Sequence, residues 1–293
     1  MKSATMAAQS VCATIVTYNP GPTLIGSVAE LAGQVDSIVL VDNGSSAETK
    51  KTLQQLEGIL DCKVMWNREN LGIAAALNLG VKYALDSGFD WVCTFDQDSL
   101  VSSGFIAKML ETYETSKNPQ AVALVAPSYV DRETGVVERL KSSNGEILAA
   151  MTSGSMIPSS AFRELGFFDE SFYMDAVDVE FCLRARRHGM VILQSPAVLL
   201  HSLGRTKYYR LFGVRLGVTN HSAGRRYYMT RNRLRLLIRY SEDWRWSWRE
   251  SRTMLLDALK IVLAEENKWE KIRAMTAGVA DAVRGRAGKQ VEL

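Results

Sequence analysis

Along the first hundred residues, short apolar runs alternate with segments of helical spacing, and each run ends in a polar cluster. Val11 to Val16 is a β-branched, apolar run, the pattern of a strand covered on both faces. It breaks at Thr17-Tyr18-Asn19-Pro20-Gly21-Pro22, a set of turn formers. Residues 23–32 place Leu24, Val28 and Leu31 at helical spacing. A second strand is predicted over Val35 to Val41, followed by Asp42-Asn43-Gly44-Ser45-Ser46, and a helix over Glu48 to Leu56. Val64-Met65-Trp66 reads as a short strand ending in Asn67-Arg68-Glu69-Asn70-Leu71-Gly72, and residues 73–85 as a helix rich in Ala and Leu. Trp91 to Phe95 is the fourth strand. Strand and helix repeating with short turns predict a largely parallel α/β sheet. In such sheets ligands bind at the carboxyl ends of the strands, and all four polar clusters fall there.

Beyond this point the pattern predicts a helix over residues 101–118, a strand over Val122 to Pro127, and a hairpin or loop over residues 131–144 around Thr134-Gly135. A small-residue turn with a strand follows at residues 152–158, then a helix end and an aromatic turn at residues 164–170. Residues 175–188 read as a helix that Gly189 ends, with Val179, Cys182, Leu183 and Arg186 at i, i+3, i+4 and i+7. Val191 to Leu193 and Val198 to His201 are two further strands, and no internal repeat is visible.

The fourth strand runs straight into Asp96-Gln97-Asp98-Ser99. Carboxylates at i and i+2 of extended chain share a side, and two of them at a buried strand end repel. A divalent cation with open coordination positions offsets that repulsion and leaves room for phosphate oxygens. The bland alternative is a solvated loop, with Asp96 forming the turn and Asp98 or Ser99 capping the next helix. A second acidic cluster, Asp175-Ala176-Val177-Asp178-Val179-Glu180, opens the predicted helix. Acids in a first turn are favoured by the helix dipole alone. The flanking Phe167-Phe168 and Phe172-Tyr173-Met174 also suit a carboxylate acting as a general base. His201 ends an apolar strand and is either structural or a third metal ligand.

Charge divides the chain. Residues 1–204 hold 15 Lys and Arg against 23 Asp and Glu, a net of −8, and residues 205–293 hold 20 against 9, a net of +11. This predicts two regions with different partners, bounded at 1–205 and 206–293. The back region is basic and aromatic: residues 225–240 carry arginines and apolar residues at helical spacing, followed by Trp244, Trp246, Trp248 and a helix over residues 254–263. Such density suits an anionic membrane surface or a helical subdomain with a solvated basic face. Nucleic acid has no support in the front region. The tail after Asp281 is expected to be loose. Met1 to Ser10 lacks an apolar run, so no signal peptide is expected, and no window reaches the ~20 apolar residues of a membrane span. The four cysteines are widely spaced, as in a reduced, cytoplasmic protein.

Five ordered motifs carry a resemblance: residues 16–19, Val41-Asp42-Asn43-Gly44-Ser45, residues 70–80, Phe95-Asp96-Gln97-Asp98-Ser99, and residues 177–186. Over about residues 10–205 the chain resembles the family 2 inverting glycosyltransferases, and within them the rhamnosyltransferase branch that builds bacterial surface polysaccharide. The resemblance implies a GT-A fold, a Rossmann-like, mostly parallel sheet with flanking helices, followed here by a C-terminal helical region. It implies a hexosyltransferase using a nucleoside diphosphate sugar, dTDP-L-rhamnose, and a lipid-linked saccharide acceptor at the cytoplasmic face of the inner membrane. By the family pattern Thr17, Tyr18 and Asp42 hold base and ribose, with Asn19, Asn78 and Gln97 among the donor-binding residues. Asn70 and Gly72 line the nucleotide pocket. Asp96 contacts ribose or metal, Asp98 binds Mg²⁺ or Mn²⁺ on the diphosphate, and Asp178 is the base. Many relatives read Glu-Asp where this chain has Val177-Asp178, so Asp175 stays open as the base.

Three other readings compete. A catalytically silent relative that binds nucleotide sugar or scaffolds an assembly complex would not need Asp96, Asp98 and Asp178 together. A glycosyltransferase using a UDP-sugar donor is an alternative within the same family. A nucleotidyltransferase would need a glycine-rich basic loop after the first strand, which Thr17-Tyr18-Asn19-Pro20 does not provide. No Cys or Ser nucleophile motif and no phosphate-binding lysine loop is present.

Overall fold

The computed structural model describes residues 9–292 other than 61, 133–134, 139–144, 202–206 and 212–213. Its contacts divide the chain into two compact units, Met1–Asp169 with Val177–Ser202, and Glu170–Ala176 with Leu203–Leu293.

In the first unit the strand–helix alternation gives β1 (Val11–Thr17), α1 (Thr23–Ala32), β2 (Ser37–Asp42), α2 (Ala47–Leu60), β3 (Lys63–Trp66), α3 (Ile73–Asp86) and β4 (Trp91–Asp96). These strands lie in the order β3-β2-β1-β4 and pair in parallel. All seven residues of β1 are buried, because helices cover both faces of a parallel sheet. Ile15, Leu40 and Phe95 join Leu24, Val28 and Leu31 of α1 in the main core.

The chain then departs from the simple alternation. The helix predicted from residue 101 begins later, as α4 (Phe105–Glu114), after a two-residue strand β5 (Leu100–Val101). Ser102-Ser103-Gly104 breaks the helical pattern ahead of it, with Gly104 left-handed at φ 67°. β6 (Val122–Asp131) outruns its predicted end at Pro127, and the two strands predicted at residues 191–201 are one, β9 (Val191–His201). They pair in parallel, with irregularities between Val122 and Leu124 and between Ala126 and Ser128. Pro127 and Pro196 lie in this part of the pairing; each lacks an N–H to donate, and β6 and β9 continue past them. β7 (Val137–Glu138) folds back on β6 as the expected hairpin, while Thr134 and residues 139–144 lie outside the described residues. β8 (Ser155–Pro158) sits antiparallel between β4 and β6, so the nine-stranded sheet is parallel in its first half and mixed beyond. α5 (Ser159–Leu165) and α6 (Val177–Arg187) bring Phe162, Phe168 and Phe181 into one aromatic cluster.

The second unit contains a hairpin, β10 (Lys207–Leu211) with β11 (Val214–Val218), and three helices, α7 (Ala223–Arg239), α8 (Trp244–Ala264) and α9 (Lys268–Val283). α8 begins ten residues before the predicted helix and absorbs the three tryptophans. The basic run of α7 is not a solvated face throughout: Arg226 and Arg231 are buried beside Tyr227 and Tyr228. Arg226 ion-pairs with Glu265, which also takes Lys271 at 2.9 Å. The tail expected to be loose is pinned. Arg231 donates to the Gly288 carbonyl at 2.7 Å, and the Tyr228 hydroxyl donates to the Val291 carbonyl at 2.8 Å. Buried polar groups on α7 need partners, and the tail backbone supplies them.

Candidate active site

β1 to β4 point the same way, so their carboxyl ends share one edge of the first unit. Thr17 and Asp42 end β1 and β2, are register partners, and are both fully buried. Asp42 Oδ2 accepts the Ser45 N–H at 3.1 Å. Asp42 Oδ1 and Thr17 Oγ1 are buried without a hydrogen-bond partner. Buried polar atoms are normally satisfied, so two orphans on adjacent strand ends mark a polar floor under the ligand-binding edge.

Side-chain amides shape the loops around them. Asn43 Nδ2 donates to Asn70 Oδ1 at 3.0 Å and to the Gly72 carbonyl at 3.3 Å. Asn43 Oδ1 accepts from Asn67 at 3.1 Å and from the Leu71 N–H at 3.0 Å. Asn70 Oδ1 also takes the Gly72 N–H at 3.0 Å. The loops after β2 and β3 are thereby one rigid body. Asn19 joins the loop after β1 to it, receiving Ser46 N–H on Oδ1 at 2.9 Å while its own N–H reaches Ser45 Oγ at 2.8 Å. Gln97 accepts the Tyr18 N–H at 2.8 Å, and Tyr18 is 48% exposed. Asn19 and Gln97 thus position loops, and Tyr18 offers a ring face. Asn78 lies elsewhere: its amide donates to the Phe168 carbonyl at 2.9 Å and accepts the Phe168 N–H at 3.0 Å, fastening the aromatic turn to α3.

At the end of β4, Asp96, Asp98 and His201 come together, with one ligand atom from each lying within 4.8 Å of the others. β9 delivers His201 because it extends beside β6 and β5 to the same edge. Asp98 is held through its carbonyl by Arg132 at 3.2 Å, and Asp96 through its N–H by Ser153 Oγ at 3.1 Å. Ser153 also meets Ser99 Oγ at 2.6 Å. His201 Nδ1 is 3.9 Å from Asp98 Oδ1 and has no hydrogen-bond partner. Octahedral ligation at 2.0–2.1 Å sets ligand atoms about 3 to 4.2 Å apart. The three groups are near enough for side-chain adjustment to bring them onto one divalent cation.

The two candidate bases separate. Asp178 is in the first turn of α6, and its Oδ1 accepts the Val179 N–H at 2.8 Å. It lines a small cavity with Met151, Thr152, Ser155, Phe168 and Cys182. Residues 151–155 also contact the end of β4, where the Thr94 hydroxyl donates to the Thr152 carbonyl at 2.5 Å. Asp175 is not on that helix, contrary to the pattern-based reading. Tyr173, Asp175 and Ala176 have φ of 55°, 55° and 67°, a left-handed path that no α-helix can include. Asp175 belongs to the second unit, where Arg225 approaches its Oδ1 at 3.5 Å and its Oδ2 is buried without a partner. Burial raises its pKa above the ordinary carboxylate value, against the opposing pull of Arg225. The strained path is held by Asn232, fully buried on α7, which donates to the carbonyls of Phe172 at 2.8 Å, Met174, and Asp175 at 3.0 Å.

Burial pushes the thiols of Cys12 and Cys182 up to about 12 and that of Cys93 well above its ordinary value. These thiols stay protonated at neutral pH and are poor nucleophiles. All four cysteines are free and buried.

The profile of Glycosyl transferase family 2 matches residues 12–170, more than half of the chain. The chain belongs to this family. It is 29% identical to the dTDP-rhamnosyl transferase RfbF of Shigella flexneri over 95% of its own length and 97% of that protein's. Its fold is similar to that of the mannosyltransferase PcManGT of Pyrobaculum calidifontis, solved with GDP-Man and Mn²⁺, at a TM-score of 0.61 and 17% identity, covering 95% of this chain and 76% of that one. It is also similar to GalNAc-T7 solved with UDP, GalNAc and Mn²⁺, at a TM-score of 0.59 and 18% identity. That match covers 78% of this chain and spans about half (47%) of the GalNAc-T7 chain. The protein is a family 2 glycosyltransferase, and its α/β architecture is that of the GT-A enzymes.

Asn43, Ser153 and Asn232 escaped the sequence reading. Asn43 stands beside Asp42 in a motif, but its role is visible only through partners 24 to 29 residues away. Ser153 and Asn232 act across 54 to 60 residues, and no local pattern marks them.

Proposed function

We propose that this glycosyltransferase moves L-rhamnose from dTDP-L-rhamnose to a lipid-linked saccharide, with inversion, at the cytoplasmic face of the inner membrane during assembly of a bacterial surface polysaccharide. The observation that carries the proposal is the meeting of Asp96, Asp98 and His201 at the end of β4, on the edge where Thr17 and Asp42 present unpaired polar atoms. The near full-length likeness to a dTDP-rhamnosyl transferase supports the donor. Among the described residues no helix is long and apolar enough to cross a membrane, which agrees with peripheral attachment.

Thr17 and Asp42 take the base and ribose, with the Tyr18 ring beside them. Asp96, Asp98 and His201 hold Mg²⁺ or Mn²⁺, which when bound neutralises charge on the departing diphosphate. Asp178 is the base. From the first turn of α6 it accepts the acceptor's hydroxyl proton. The freed oxygen bonds to the sugar's anomeric carbon from the face opposite the leaving group. The bond from that carbon to the diphosphate oxygen breaks, and its electron pair leaves with dTDP.

Release of nucleoside diphosphate from a panel of dTDP- and UDP-sugars tests the donor, with dTDP-L-rhamnose expected to lead. Single-turnover transfer tests the base. Asp178→Asn should keep dTDP affinity and lose about 10² to 10⁴ in rate, and Asp175→Asn should lose less. Near wild-type transfer by Asp178→Asn with a dead Asp175→Asn would move the base to Asp175.

A further inference from the structure

Helix α8 is amphipathic in the wrong sense for a solvated surface helix. Trp244, Trp248, Leu255, Leu259 and Val262 recur at i, i+4, i+11, i+15 and i+18, which places them on a stripe about 60° wide. All are exposed, Trp248 to 69% and Leu255 to 62%. The opposite, inward face mixes apolar residues with both acids of the helix. Glu250 and Asp257 turn inward onto Arg233 of α7, at 3.2 and 3.0 Å, beside the buried Trp246 and Ile261. A surface helix normally buries its apolar stripe and exposes its charges. Here both acids are neutralised inside while a second apolar stripe faces outward, and a contiguous exposed patch of this kind marks a contact surface.

Charge selects the partner. Glu250 and Asp257 are the only acids in α8, and both are spent on Arg233. Arg245, Arg249 and Arg252 are exposed along one border of the stripe. A second copy of the chain would bring the same cations to the contact, with no acid of α8 to meet them. An anionic lipid surface complements both features, since tryptophan settles at the headgroup level and arginine pairs with phosphate.

We infer that the outer face of α8 is a docking surface for an anionic bilayer, on which the helix lies in the plane of the interface with Trp244 and Trp248 inserted. This narrows an expectation that had covered the whole basic segment. The buried Arg226, Arg231 and Trp246 are excluded from the contact, because they build the unit's interior. The inference rests on the proposed lipid-linked acceptor only for its purpose. Its test needs neither donor nor acceptor.

The full chain is sedimented with vesicles of phosphatidylcholine alone and of phosphatidylcholine with 30% phosphatidylglycerol, over a salt series. Wild type should bind the anionic vesicles and release with salt. Trp248→Ser with Leu255→Ser should bind at least tenfold more weakly, with an unchanged melting temperature and unchanged dTDP binding. Each of Arg245→Ser, Arg249→Ser and Arg252→Ser should cost up to about fivefold. Equal binding to neutral and anionic vesicles would overturn the inference, as would wild-type binding by the double variant. A concentration-dependent dimer that Trp248→Ser disperses would assign the face to a second copy instead. Loss of vesicle binding with transfer to a soluble acceptor retained would leave the catalytic proposal standing.

Discussion

Gly44 sits where the candidate site can be pried open by one methyl group. It follows Asn43 in the loop after β2, with φ 85°. A Cβ there would lie 2.5 Å from the Glu69 carbonyl carbon, 2.7 Å from Glu69 Cα and 2.9 Å from the Asn70 nitrogen. All three are backbone atoms and have no rotamer to escape into. Gly44→Ala must therefore separate the loops after β2 and β3 and stretch the Asn43 bonds to Asn70, Leu71 and Gly72. The left-handed φ costs an alanine about 1 to 2 kcal/mol, and overpacking adds about 1 to 3. A loss of about 2 to 5 kcal/mol is expected, a large share of an ordinary domain's stability. Gly104→Ala is the control, because Gly104 has φ 67° and nothing within 4 Å of its Cβ position. It should lose the conformational part alone, about 1 to 2 kcal/mol. Denaturant unfolding of the three proteins reads stability, and calorimetry with dTDP reads the site. Gly44→Ala should bind dTDP about tenfold more weakly, the worth of one lost hydrogen bond, and Gly104→Ala should bind like wild type. If the two variants lose the same stability and both bind normally, the rigid coupling of the two loops through Asn43 is wrong.

Asp98→Ala should abolish the enhancement of dTDP binding by Mn²⁺ and leave the melting temperature of the metal-free protein near wild type. Equal enhancement in both proteins would remove Asp98 from the metal site. Asp175→Asn should stabilise the fold at neutral pH. A carboxyl with a raised folded pKa contributes its stability below the unfolded value of 3.8 and loses it as pH rises through the folded one. The advantage of the amide should therefore shrink as pH falls toward 4, which unfolding curves at pH 4 and 7 would read, and an advantage that grows on acidification would contradict the burial argument. Asn232→Leu leaves the carbonyls of Met174 and Asp175 without their buried donor. It should cost about 2 to 6 kcal/mol at roughly 1 to 3 per unsatisfied group, and a loss below about 1 in denaturant unfolding would show that the strained segment does not depend on it.

The sequence alone determined the first half of the sheet. Its strands are continuous apolar runs and its helices keep the 3.6 period, so β1 to β4 and α1 to α3 end within a few residues of the pattern. Local chemistry also marked the strand-end clusters that hold Thr17, Asp42, Asp96 and Asp98, since polar residues after a buried strand have nowhere else to be. Tertiary structure decided what lies far apart in sequence. His201 reaches Asp98 only because β9 runs on past its irregularity beside β6. Asp175 left the helix of Asp178 because Asn232, nearly sixty residues away, holds the chain left-handed ahead of Val177. Asn78, set in a motif, turned to the Phe168 backbone. The basic segment read as surface, but Arg226 and Arg231 are interior because Glu265 and the tail backbone satisfy them. Periodicity reports which side of an element is apolar, and α8 shows that it does not report which side faces in. The inward side is the one where Arg233 of the neighbouring helix pairs with Glu250 and Asp257 and where Trp246 and Ile261 are buried.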